Sequence, residues 1–250
     1  MFSLFVFGAA GKMGQALGET AALNGVTVVG GFDIRTDMAG PYPIYSEIEK
    51  VPGNFDVIVD FSRPQLLPGI IALSDKYHKP AVIATTGHNA SETADILSLA
   101  ERTAVLKSGN MSIGVNLLLS LVEEAARALG DAYDIEIVEK HHNQKVDAPS
   151  GTAEMLANAV KRGRAVSRTV YGRHGDSLRQ KGELGIHAVR GGTTVGEHDV
   201  IFAGRDETIT LSHAALSRKI FSSGALRAAL FVADKPPGLY TMQDAIGDTP

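Results

Sequence analysis

The chain has 250 residues, 44% of them hydrophobic and 21% charged, and its 24 Lys and Arg against 28 Asp and Glu leave a net charge of -4. This is a globular composition with no global basic field, so nonspecific recruitment to nucleic acid or anionic lipid is excluded and any anionic ligand needs a local site. With no cysteine, disulfides, thiolate nucleophiles, Cys-ligated zinc and iron–sulfur clusters are excluded too, and a cytoplasmic setting is expected.

The run from Phe2 to Phe7 is short, apolar and stopped by Gly8, which fits a buried strand. No basic residue precedes Lys12 and no stretch approaches the ~20 apolar residues of a bilayer span, so neither a leader nor a membrane partner is expected. After a glycine-rich turn, Met13, Ala16, Leu17, Ala21 and Leu23 recur at helical spacing up to Gly25, and Val26 to Phe32 reads as a second strand. Further strands are expected at 57–61, 81–85 and 104–106, alternating with helices at 64–77 and 91–102. Such alternation predicts an α/β, doubly wound parallel sheet with helices on both faces. From about Gly114 the texture changes. A long amphipathic helix (115–129), a strand (134–139), a polar loop (140–150) and a helix (151–161) are followed by an irregular Gly/Arg-rich stretch. Strands at 187–190, 194–203 and 208–212 then have the spacing of antiparallel neighbours, which predicts a second, α+β domain. A last helix at 222–233 is apolar on a wide face and suits packing back on the first sheet.

The turn reads Gly8-Ala9-Ala10-Gly11-Lys12-Met13-Gly14 between a strand and a helix. Small residues there admit a pyrophosphate to the backbone, and the positive end of the following helix holds it. Asp33 closes the second strand, where a carboxylate accepts hydrogen bonds from an adenosine ribose. The pattern leaves NADH or NADPH open: Asp33 repels a 2′-phosphate, whereas Arg35 and Lys12 neutralise one. Ala84-Thr85-Thr86-Gly87 and Ser108-Gly109-Asn110-Met111 end two later strands at the edge where such sheets bind ligands.

The segment Glu139 to Ala153 holds adjacent histidines, Lys140 and Lys145, and an abrupt helix start at Pro149-Ser150-Gly151-Thr152. A helix N-terminus exposes N–H donors, and Ser150, Gly151 and Thr152 add hydroxyls and unhindered backbone, so with Lys145 they suit a carboxylate. A histidine titrates near neutrality, which makes His141 or His142 a candidate general acid beside that anion. No metal site is expected, because adjacent histidines diverge and no HExxH spacing or carboxylate cluster completes a set.

Together with Asp60-Phe61-Ser62, Asn110-Met111-Ser112-Ile113-Gly114-Val115-Asn116 and Val195-Gly196-Glu197-His198, these motifs resemble the 4-hydroxy-tetrahydrodipicolinate reductase (dihydrodipicolinate reductase) family of the lysine and diaminopimelate pathway. The resemblance spans essentially the whole chain, and the His-His-x-x-Lys-x-Asp-Ala-Pro-Ser-Gly-Thr segment is specific to that family. It implies a Rossmann-type nicotinamide domain (1–111 and 218–250) and an inserted α+β domain (112–217) that binds a small cyclic dicarboxylate and builds a homotetramer. It implies reduction of 4-hydroxy-tetrahydrodipicolinate to tetrahydrodipicolinate by nicotinamide hydride, with His141 or Lys145 as proton donor. Thr86, His142, Lys145, Ser150, Gly151 and Thr152 are implied to bind substrate. Gly8, Ala9, Ala10, Gly11, Lys12, Met13, Asp33, Arg35, Phe61, Ala84, Thr85, Thr86, Ser108, Asn110 and Met111 are implied to bind the cofactor. Three departures fall at the cofactor contacts: Lys12 for a common arginine, Ala84 for a usual glycine, and Ser108-Gly109 for Ala-Pro. A two-domain nicotinamide oxidoreductase acting on another substrate, and a non-catalytic nicotinamide sensor, are the rival readings; the acidic charge and the lack of a basic recognition helix disfavour a nucleic-acid partner.

Overall fold

The computed structural model describes residues 2–36 and 41–247. The chain folds as two compact units, Met1–Ile113 with Arg218–Pro250, and Gly114–Ser217. The first opens with β1 (Ser3–Phe7), α1 (Lys12–Leu23), β2 (Thr27–Phe32), β3 (Ile44–Tyr45), β4 (Val57–Asp60), α2 (Leu67–Tyr77), β5 (Ala81–Ile83), α3 (Ala90–Ala100) and β6 (Ala104–Lys107). Then come α4 (Ile113–Leu129), β7 (Asp134–His141), α5 (Gly151–Gly163), β8 (Arg168–Tyr171), β9 (Glu183–Arg190), β10 (Gly196–Ala203) and β11 (Thr208–Ala215). The chain returns to the first unit with α6 (Lys219–Val232), β12 (Gly238–Tyr240) and α7 (Met242–Gly247).

The first sheet runs β12-β6-β5-β4-β1-β2-β3, and every pairing in it is parallel. Strand β1 is buried throughout because both of its faces are covered, so it reads as a continuous apolar run rather than an alternating one. Leu4 and Val6 pack with Leu17 and Ala21 of α1 and with Ala225, Ala229 and Val232 of α6. Phe5 and Phe7 point the other way, into Phe55, Ile58 and the α2 residues Ile70 and Leu73. Each fully buried phenyl ring contributes ~1.5–3 kcal/mol, and the Phe7 ring also stacks on Phe32 at 5.2 Å. The helix expected at 222–233 starts earlier, at Lys219, and its apolar face lies on β4, β5 and β6. Strand β12 and helix α7, beyond that helix, are not anticipated by the sequence pattern. Because the strands are parallel, Gly8, Asp33, Phe61, Ala84 and Ser108 all fall along one edge of the sheet. Chain order reverses between β1 and β4, which is where an open parallel sheet forms its ligand crevice.

The second sheet runs β11-β10-β7-β9-β8. Strand β10 is antiparallel to β11, as the spacing suggested, and also to β7; β9 is not its neighbour, because β7 lies between them, and β9 is parallel to both β7 and β8. Alternation fixes which side chains share a face and not which way a strand runs. The stretch read as irregular contains β8, a four-residue edge strand with no buried residue, too short for its Val170 and Tyr171 to make an alternating pattern. One face of the sheet packs Ile135, Ile137, Leu184, Ile186, Val200 and Phe202 against Leu118 and Val122 of α4 and Leu156 and Val160 of α5. The same alternation carries Glu139 and His141 of β7 and His198 of β10 onto this buried face. An apolar core therefore ends, at one side, in three ionisable groups. Among the described residues, no helix is long and apolar enough to cross a membrane.

Candidate active site

At the crevice of the first sheet, Gly8 takes φ 76°, in the left-handed region, and a Cβ there would stand 2.5 Å from the Phe61 carbonyl oxygen. Gly14 packs as tightly, since its Cβ would meet the Gly8 carbonyl oxygen at 2.3 Å. Gly11 is the N-cap of α1 and gives no side-chain capping bond, and no acidic residue stands in the first turn. The positive end of α1 is thus left for an anion. A cleft of about 740 Å³ is lined by Gly8, Gly11, Asp33, Arg35, Phe61, Ser62 and Arg63, among others. That is within the ~300–1,000 Å³ range of small-molecule sites, and a cradle closed to any Cβ at Gly8 fits a pyrophosphate held by backbone.

Asp33, expected to meet a ribose, also has partners within the turn. One carboxylate oxygen accepts from Ala10 N at 3.0 Å and the other from Arg35 N at 3.1 Å, while the Arg35 guanidinium donates to Ala10 O at 2.8 Å. Both residues therefore brace the turn, and the Ala10 N–H is already engaged. Lys12 is exposed, Met13 is half-buried, and Ala9 is buried. Arg63, a second guanidinium in the cleft, was not anticipated; its position just after Asp60-Phe61-Ser62 is the only signal the sequence carries. Farther along the edge, Thr85 is buried and Thr86 exposed. The Ser108 hydroxyl donates to Asn110 O at 2.8 Å, and Asn110 Oδ1 accepts from Ser112 N at 2.9 Å, so this turn is internally fixed. The Met111 side chain lies in the core and its carbonyl packs against Gly224 of α6.

In the second unit His141, His142, Lys145, Ser150, Gly151 and Thr152 come from one turn of chain between β7 and α5. The two histidines part company. His141, the last residue of β7, points into the buried face and its Nδ1 lies 2.6 Å from Glu139 Oε2. His142 leaves the strand, and its N–H donates to Thr194 O at 2.8 Å. Lys145 Nζ donates to both carboxylate oxygens of Asp147, at 2.7 and 2.9 Å. The lysine is 20% exposed and the aspartate 60%. Ser150 caps α5 by accepting from Ala153 N at 3.1 Å, and nothing within 4 Å would obstruct a side chain at Gly151. The Lys145 ammonium is thus held by a carboxylate far more exposed than itself, a partner that another carboxylate is able to replace.

Beneath this loop lie three residues to which the sequence alone gave no role: Glu139, Arg190 and His198. Glu139 is fully buried and receives a two-pronged grip from Arg190, with both N–O distances 2.7 Å. Burial pushes the Glu139 carboxyl up, but Arg190, His141 and the Ser150 N–H outweigh it and hold it below the ordinary glutamate range. Breaking such a buried pair from one side costs ~3–5 kcal/mol. His198 packs edge-on to His141, with ring centroids 5.2 Å apart, and its Nε2 lies 3.0 Å from Ser150 Oγ. Burial, then the neighbouring His141, pull His198 down to about 4, so it is neutral at pH 7. The sequence does mark these groups faintly, as charged residues at period 2 within otherwise apolar strand faces. Among the described residues, no group of three or more His, Asp or Glu is arranged to hold a metal ion.

Residues 2–111 match the family model described as dihydrodipicolinate reductase, N-terminus, and residues 114–246 match the one described as dihydrodipicolinate reductase, C-terminus. The chain belongs to the dihydrodipicolinate reductase family. It is 47% identical to the 4-hydroxy-tetrahydrodipicolinate reductase of Caldanaerobacter subterraneus subsp. tengcongensis over 249 residues, with 98% of each chain covered. It is 44% identical to the enzyme of that name from Clostridium novyi, again with 98% of each covered. Among solved structures, dipicolinate-bound dihydrodipicolinate reductase from Paenisporosarcina sp. TG-14 is similar at a TM-score of 0.82 and 25% identity, covering 98% of each chain. The family's α/β fold, with one parallel and one mixed sheet, is the fold described above, and the family's enzymes are oxidoreductases.

Proposed function

We propose that this chain reduces 4-hydroxy-tetrahydrodipicolinate to tetrahydrodipicolinate with NADH or NADPH, the reductive step of lysine and diaminopimelate formation that its family's name describes. Replacing C–OH by C–H takes in one hydride and one proton and releases one water. A reduced nicotinamide supplies the hydride when bound. The chain's own residues bind, orient and move protons. The observation that carries this reading is the meeting of Lys145, the Ser150-capped start of α5 and His141 in one short loop, in a chain whose other unit has a dinucleotide cleft.

Gly8 to Met13 with Asp33, Arg35 and Phe61 hold the dinucleotide, and Ala84 to Thr86 and Ser108 to Met111 stand toward its nicotinamide end, with Thr86 also a substrate-binding residue. A substrate carboxylate takes the place of Asp147 on Lys145 and meets the N–H groups at Gly151 and Thr152, with His142 alongside. His141 Nε2 or Lys145 Nζ gives the proton. Domains 1–111 with 218–250 and 112–217 divide this work between cofactor and substrate. The sheet face opposite α4 and α5, carrying Val189 and Ile201, is the surface on which copies assemble into a homotetramer, and the absence of cysteine suits work in the cytoplasm.

The test is a fluorescence titration with NADH followed by addition of 4-hydroxy-tetrahydrodipicolinate. Saturable binding and then one nicotinamide oxidised per substrate consumed is the expected result. Binding without oxidation would favour a sensor, and oxidation only with a different carbonyl or imine substrate would reassign the reaction.

A further inference from the structure

Glu139 has a place in the site that neither histidine chemistry nor carboxylate binding has yet assigned. Its two oxygens receive four donors: Oε2 from His141 Nδ1 at 2.6 Å and Arg190 at 2.7 Å, and Oε1 from Ser150 N at 3.0 Å and Arg190 at 2.7 Å. A carboxylate offers about four acceptor positions, so every one is used. One buried side chain therefore ties the end of β7, where the proposed proton donor sits, to the N-cap of α5, where the proposed carboxylate site begins. The second Arg190 nitrogen also donates to Asp147 O at 2.6 Å, which extends the tie into the Lys145 loop.

We propose that Glu139, locked by Arg190, is the positioning residue of this site, fixing the ring and tautomer of His141 and the first turn of α5 together. A carboxylate accepting at Nδ1 places the ring proton there and leaves Nε2 as the atom that exchanges a proton with substrate. The groups around the ring leave Glu139 as its governing partner. From β9 comes Arg190, whose charge is committed to Glu139. From β10 comes His198, edge-on at 5.2 Å, with His213 of β11 paired across from it. From the loop come Lys145 and Asp147, paired with each other. Burial holds both His198 and His213 on the neutral side. Among the described residues, Glu139 is thus the one anion in direct contact with the His141 ring.

This inference rests on His141 as the proton donor, and its test reads the ring with and without turnover. In the intact enzyme, 15N NMR of the histidine rings is expected to show His141 with its proton on Nδ1. In Glu139→Gln the amide cannot accept both Arg190 donors, and a mixture of tautomers is expected. Turnover should fall ~10–100-fold, the range seen when the partner that orients a functional histidine is lost, with NADH affinity unchanged, dipicolinate binding weakened and the pH profile of kcat displaced. Arg190→Lys keeps the charge and removes the fork; it is expected to fold and to shift tautomer and pH profile the same way by less, and it decides the matter if Glu139→Gln does not fold. Unchanged tautomer and pH profile in the folded variants would overturn the proposal. A wild-type enzyme inactive on 4-hydroxy-tetrahydrodipicolinate but with the expected ring signals would overturn the reductase reading alone.

Discussion

In the first unit the cleft is shaped by small residues and main chain: Gly8 has no Cβ to strike Phe61, Gly11 leaves the start of α1 uncapped by a side chain, and Asp33 braces the turn through Ala10 N. In the second unit the loop is shaped by charge placed under it, with Arg190, His141 and Ser150 N all converging on Glu139. A backbone-built site is sensitive to added volume, because any Cβ in the wrong place closes it. A charge-built site is sensitive to lost charge, because its buried partners are then left unsatisfied. The two units should therefore fail in different ways under substitution, and each failure should be separable from the other.

The widest separation is expected for His141→Ala combined with Lys145→Ala. Turnover should drop by ~10²–10⁴, the worth of general acid–base catalysis, while NADH affinity in a fluorescence titration stays at the wild-type value. Gly8→Val should do the converse, lowering NADH affinity by about a hundredfold or more, since it forces both a left-handed φ and a backbone clash; dipicolinate binding should be retained. Loss of both ligands in either variant would show that the two regions are not independently built.

Acid should attack the second unit first. His198 is held at about 4 in the folded state against an ordinary 6.5, so the unfolded chain takes up a proton that the folded chain refuses. Stability is then complete above pH 6.5 and is lost as pH falls toward 4, with a ceiling of ~3–4 kcal/mol. Thermal unfolding of wild type and His198→Asn across that range should show the slope in the first and a flatter line in the second. Arg35→Ala and Arg63→Ala should lower NADPH affinity about fivefold and NADH affinity less, because a charged hydrogen bond to a half-exposed phosphate is worth ~1 kcal/mol. Equal losses for both would place these guanidiniums on the pyrophosphate instead. The smallest effect belongs to Asp147→Asn, which frees Lys145 from an exposed partner worth ~0.2–1 kcal/mol and should tighten dipicolinate two- to threefold.

Much of the first unit was legible because its features are local. Gly8 to Gly14 between an apolar run and a helical period, with Asp33 one strand later, is written in consecutive residues. The polar loop was legible for the same reason, since Lys145 and the Ser150 N-cap are near neighbours in sequence. What brings Arg190 to Glu139 is the β7–β9 register, which pairs Glu139 with Ala188 and His141 with Arg190. That register depends on β9 running parallel, which the strand spacing did not reveal. Arg63 was missed because one arginine after a strand is unremarkable until β4 is seated beside β1. Strands β8 and β12 have no apolar alternation of their own and are held by their neighbours.

The most direct test of the division between the units is steady-state oxidation of NADH and NADPH by wild type and the His141→Ala, Lys145→Ala variant on 4-hydroxy-tetrahydrodipicolinate, with dinucleotide affinity measured on the same samples. The expected result is stoichiometric oxidation by wild type and turnover lower by ~10²–10⁴ in the variant, at unchanged dinucleotide affinity. Wild-type-like turnover in the variant, or a parallel loss of dinucleotide binding, would contradict the account.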